Sequence, residues 1–100
     1  MAYTICAVYT VMPGEESTVE TALAAMIDLS RREPACLTYE VNRSTEDPRV
    51  FCLYERYRDE QGFQAHVASD YFSRHIRDVV WPRLEHRQRF IGEPLPASLG

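Results

Sequence analysis

The hundred residues contain no lysine; all eleven basic side chains are arginines. That absence excludes Schiff-base chemistry through a lysine amine and a Walker-type phosphate loop, whose lysine reaches the phosphates. Cysteine is scarce and odd in number. Cys6, Cys36 and Cys52 form no C-x-x-C pair, which argues against a disulfide framework and a zinc ribbon. Free packed thiols in a reducing cytoplasm are the plain reading. The four glycines build no phosphate-cradling loop, and H-E-x-x-H, G-x-S-x-G and the dinucleotide fingerprint are all missing. Neither a flavin nor a nicotinamide is indicated, and no cofactor or metal is expected. No apolar run approaches the ~18 residues a membrane span needs. The first basic side chain is Arg31, so no signal peptide is read and a cytoplasmic location is expected. Fifteen acidic residues leave a net charge of -4, against a nucleic-acid partner.

The composition is that of one globular domain, with 45% hydrophobic and 26% charged residues. Residues 3–12 are rich in β-branched and aromatic types and read as a strand that Pro13-Gly14 stops. Residues 15–32 read as a helix, with Glu15 and Glu16 opening it and Arg31 and Arg32 closing it. Its apolar stripe is Val19, Leu23, Met26 and Ile27 with Ser30. Residues 36–43 and 50–57 form a hairpin around the turn at 45–48. Asp59 caps a short helix over about 60–68, and Ser69 or Asp70 caps an α-helix over about 70–80 that ends at Pro82. Residues 85–92 are a weaker strand, and 93–100 an extended tail. The order β-α-β-β-α-β is that of the ferredoxin-like α+β sandwich, an antiparallel sheet with helices on one face. Both sheet faces are apolar: Tyr3, Ile5, Ala7 and Tyr9 on one side of strand one, Cys6 and Val8 on the other. Helices cover only one face, so the other is expected to bury itself against a second copy in a homodimer.

Four short motifs in order, Glu33-Pro34-Ala35-Cys36 with Tyr39, Glu55-Arg56-Tyr57, Ala65-His66, and Ser69 with Phe72, resemble the antibiotic biosynthesis monooxygenase family over roughly 2–94. The chain departs from the usual pattern in having Ala35 for glycine and Tyr57 for tryptophan. The resemblance implies a dimeric α+β barrel with a pocket between sheet and helices. It also implies a cofactor-independent monooxygenase acting on a quinol or phenolic, polyketide-like small molecule. Other relatives are isomerases of a phosphorylated compound, and some degrade haem, which makes haem a minor possibility here. The homodimer and a small aromatic substrate are the expected partners.

His66 is the first catalytic candidate, three residues after Phe63 on one helix face; an imidazole near neutral pKa removes a proton from a phenol or enol. Its competing reading is a structural histidine. Tyr57 and Tyr71 flank His66 in the family motifs and, with Phe72 and Trp81, would hold a flat ring. Asn42 is a candidate for binding the substrate oxygen, or else a polar residue opening the following turn. Glu55 stands on an otherwise apolar strand face and so requires partners; it would orient His66 or hold an arginine such as Arg56 or Arg83 across the dimer. His75 is a second base, a haem ligand or a core histidine. Two alternatives to the monooxygenase stand beside it. An enolising isomerase of a small phosphorylated carbonyl compound requires at least two pocket arginines, since lysine is absent. A non-catalytic ligand-binding or stress-associated dimer gains weight if the pocket is filled by its own aromatics, leaving no cavity of useful size.

Overall fold

The computed structural model describes residues 1–97. The chain runs through β1 (Tyr3–Val11), α1 (Glu16–Arg31), β2 (Cys36–Arg43), β3 (Val50–Tyr57), α2 (Glu60–Val67), α3 (Phe72–Val80), a short 3₁₀ turn (Trp81–Arg83) and β4 (Leu84–Gly92). The four strands form one antiparallel sheet in the order β2-β3-β1-β4. This is the ferredoxin-like α+β sandwich. Residues 93–97 are exposed and carry no regular structure, and the end of the expected tail, 98–100, lies outside the described residues.

Strand alternation divides the sheet cleanly. Ile5, Ala7, Tyr9 and Val11 on β1, and Phe51, Leu53, Glu55 and Tyr57 on β3, are buried beneath the helices. From α1, Val19, Ala22, Leu23 and Met26 pack on them, the stripe that helical spacing predicts. The opposite face carries Cys6, Val8, Val50, Cys52 and Tyr54, half-buried within one chain, and Phe90, 62% exposed. Among the described residues no helix is long and apolar enough to cross a membrane.

Two local features place the functional region. The α2 helix begins at Asp59, whose carboxylate accepts the Gly62 N–H at 2.8 Å. Gly62 lies against Ala35: a Cβ there would stand 2.6 Å from the Ala35 methyl. Ala35 itself has no positive φ, so alanine is free of strain where the family pattern has glycine.

The segment expected as an α-helix over 70–80 departs from that expectation. After one turn capped by the Ser69 hydroxyl, Phe72–Val80 winds as a π-helix. Trp81 N–H donates to the Ile76 carbonyl, five residues back. Pro82 explains the wider winding at this end. It has no N–H to give the Asp78 carbonyl and its ring would clash there in an α-helix. The Arg83 guanidinium serves the Val79 carbonyl at 2.9 Å instead.

Candidate functional site

Phe63 and Val67 of α2, Phe72 and Arg77 of α3, Trp81, and residues of β1, β3 and β4 line a cavity of about 400 Å³ that opens to solvent. Its size suits a small ligand. The non-catalytic reading would have gained weight from a pocket filled by its own aromatics, and this cavity adds no such weight.

Glu55 is the carboxylate on the cavity wall. Its side chain is only 7% exposed. Burial raises its pKa above the ordinary carboxylate range, a rise that nearby His66, the Tyr57 hydroxyl and Arg89 partly offset. The Tyr57 hydroxyl donates to Glu55 Oε1 at 2.7 Å. Burial, the neighbouring Glu55 charge and that bond hold the phenol proton on Tyr57 far above its usual pKa.

His66 is 1% exposed and does not line the cavity; it stands behind Glu55, with Nε2 3.8 Å from Glu55 Oε1. Its Nδ1 lies 2.9 Å from Glu33 Oε2. A carboxylate accepts only, so Nδ1 carries the proton and Nε2 is left facing Glu55. Glu33 Oε2 also accepts from the Tyr71 hydroxyl. Burial first, then that bond and the Glu33 charge, push the Tyr71 phenol up to about 12. The rings of Tyr39, Tyr57, Phe63 and Phe72 surround the imidazole at 5.3–6.4 Å between centroids. The result is a buried row, Glu33–His66–Glu55, with a tyrosine hydroxyl on each carboxylate. Its inner end meets the cavity, while the Glu33 side chain at its outer end is 13% exposed.

The predicted residues divide between the cavity wall and other places. Phe72 and Trp81 line the cavity. Tyr57 and Tyr71 donate to the two carboxylates rather than lining it. Asn42 is exposed and pairs with Cys52, which places it on the sheet face away from the cavity. His75 is half-buried on α3 and does not line the cavity either. Within one chain Glu55 holds neither Arg56 nor Arg83. Arg56 alternates onto the other face, and Arg83 engages Glu15 at 3.2 Å and the Val79 carbonyl. The arginine that acts on Glu55 is Arg89, from β4. Among the described residues no group of three or more His, Cys, Asp and Glu side chains could hold a metal ion.

Sequence reasoning missed Glu33 as a functional side chain and missed the arginines of the cavity wall, Arg77, Arg87 and Arg89. The signal for Glu33 was its place in the first motif, three residues before Cys36 and its strand.

The family model for antibiotic biosynthesis monooxygenases matches residues 2–78. The chain belongs to the antibiotic biosynthesis monooxygenase family. Solved structures extend the likeness over nearly its whole length. A Pseudomonas aeruginosa protein, PA3566, is 26% identical and superposes with a TM-score of 0.88 over 95% of each chain. Rv0793 of Mycobacterium tuberculosis is 25% identical with a TM-score of 0.88, covering 98% of this chain and 100% of its own. A structure named antibiotic biosynthesis monooxygenase is 20% identical with a TM-score of 0.88, covers 94% of this chain and 99% of its own, and so speaks for the fold. No curated protein matches this antibiotic biosynthesis monooxygenase family member.

Proposed function

We propose that the chain is a cofactor-independent monooxygenase that oxidises a phenolic or quinol-type small molecule with O₂. The observation that carries this reading is Glu55: a buried carboxylate of raised pKa on the wall of a cavity lined by Phe63, Phe72 and Trp81, in a member of a monooxygenase family. A carboxylate whose pKa is moved toward neutrality is suited to take a proton from a phenol. In this reading Glu55 touches substrate. His66, set by Glu33, acts through Glu55 as a positioning residue and as the next proton carrier. The phenolate so formed is electron-rich enough to reduce O₂ itself. With 1-naphthol the balance closes: one oxygen atom enters the ring, the other leaves as water with the two hydrogens lost, and a naphthoquinone results. The chain supplies the base, the orientation and a cavity that limits water.

The apolar outer face of the sheet supports the homodimer, since an isolated chain would leave Phe90, Val8 and Tyr54 open to water.

A second reading has its own observation. An enolising isomerase of a phosphorylated carbonyl compound requires at least two cavity arginines, and the wall carries three. The same Glu55 would move the proton, with no O₂ consumed.

Oxygen uptake with 1-naphthol tests the first reading. The wild-type protein is expected to exceed the spontaneous rate, and Glu55→Gln to lose roughly 10²–10⁴-fold, the usual worth of a positioned acid–base group. His66→Gln is expected to lose less. Uptake unchanged in Glu55→Gln would refute the assignment of the base.

A further inference from the structure

The acid–base row accounts for one end of the cavity and leaves the other unexplained. Arg77 arrives from α3, and Arg87 and Arg89 from β4, all three lining the cavity. The register sets their spacing. Arg89 lies opposite Ala7 and Arg87 opposite Tyr9, two residues apart on the inner face. The Arg87 guanidinium carbon is 3.7 Å from the Trp81 ring centroid, and that of Arg77 is 5.4 Å from the rings of both Trp81 and Phe72. Stacking occupies the flat face of a guanidinium and leaves its in-plane N–H fork unspent. Among the described residues none of the three forms an ion pair, whereas Arg43, Arg49 and Arg83 each do. The whole chain has a net charge of -4, so three unpaired cations against a single cavity carboxylate make a local reversal of sign. A forked donor with no acceptor, held on an aromatic floor, matches an oxyanion attached to a flat molecule.

We infer that this cavity binds a hydroxylated aromatic or enolic compound carrying a second, permanently charged oxyanion, a carboxylate or a phosphate. Arg77 and Arg87 hold the oxyanion beside Trp81. The ring lies along Phe72, Phe63 and Val67, and the hydroxyl meets Glu55 with Arg89 beside it. The inference rests on reading the cavity as the substrate site but not on the reaction that follows.

The test is isothermal titration calorimetry with 1-naphthol, 4-hydroxy-1-naphthoate and 4-hydroxy-1-naphthyl phosphate, at low and at physiological salt. The subjects are the wild-type protein, the Arg77→Gln single variant and the Arg77→Gln/Arg87→Gln double variant. Arg77 and Arg87 are exposed and form no ion pair, so both variants are expected to fold, which a thermal melt checks, and the readout is the ratio of anion to 1-naphthol affinity within each protein. At least one anionic probe is expected to bind the wild type about ten-fold or more tighter than 1-naphthol, a preference that weakens with salt. The preference should shrink in the single variant and fall below about two-fold in the double one, the loss of two charge-assisted contacts. The tighter of the two anions identifies the group as carboxylate or phosphate. Equal affinity for all three probes, no binding of either anion, or a preference that survives both substitutions overturns the inference. Anion preference without oxygen uptake leaves it standing and refutes the monooxygenase reading alone.

Discussion

Replacing Gly62 by alanine should destabilise the protein, and replacing Ala35 by glycine in the same chain should cancel the effect. The new Cβ would stand 2.6 Å from the Ala35 methyl carbon, well inside van der Waals contact. Its other neighbours, the Tyr57 Cβ and the Asp59 Oδ1, are at 3.5 Å and impose little. Relief requires α2 to move away from the segment before β2. That segment carries Glu33, so the movement also stretches the 2.9 Å contact between Glu33 and His66. Overpacking of this kind costs about 1–3 kcal/mol. Alanine in place of glycine in a helix returns roughly 0.5–1 kcal/mol. The net loss is about 1–2 kcal/mol, or a fall in melting temperature of roughly 5–15 °C for a domain of this size. In the Ala35→Gly background the clash is gone and only the helix gain remains. There Gly62→Ala should raise stability slightly, giving a coupling energy near 2 kcal/mol. Urea unfolding of the four proteins measures the cycle. A Gly62→Ala change that is neutral or stabilising in both backgrounds would refute the packing argument, and with it the claim that the Ala35–Gly62 contact sets the position of His66.

Two further outcomes follow from the same structure. Burial raises the pKa of Glu55 above its usual value of about 4.5, so the folded protein keeps this proton where the unfolded chain loses it. Glu55 therefore contributes progressively less to stability as pH rises from about 4.5 through its higher folded value. Thermal melts should show Glu55→Gln gaining on the wild type as pH increases over that span, and a difference independent of pH, or one shrinking as pH rises, would contradict the assigned cause. On the outer sheet face, Val8→Glu places a charge between Cys52 and Gln88, in the centre of the surface proposed to bury a second copy. Light scattering should then give a mass near 11.6 kDa where the wild type gives twice that; an unaltered dimer would move the interface elsewhere.

How far the sequence carried depends on the kind of information each residue holds. Period-two alternation made the strands legible, and with them the two-sided sheet. Glu55 was conspicuous because a carboxylate in the inner row with Leu53 and Tyr57 has to find partners. Which partners it finds is a matter of three-dimensional register. Arg89 faces Glu55 only because β4 pairs antiparallel with β1, setting Arg89 opposite Ala7 while Glu55 pairs with Ile5 across the other edge. Read along the chain, Arg87 and Arg89 on an exposed edge strand look like solvated charges. Arg77 lies on another element altogether. The convergence of Arg77 and Arg87 on Trp81 has no local signature, so the sequence could state the requirement for cavity arginines without saying which residues meet it. Depth is hidden in the same way. Helical spacing put His66 on the face of Phe63, but whether it reaches the cavity depends on how closely α2 approaches β3. Gly62 and Ala35 set that approach, and it leaves the imidazole behind the carboxylate. The π-winding of α3 has a local cause at its C-terminal end in Pro82, and it carries Arg77 and Trp81 to the cavity wall. The chemistry-bearing residues of this chain are therefore legible where one strand face must satisfy a buried charge. They are illegible where separate elements each bring a single side chain to a shared wall.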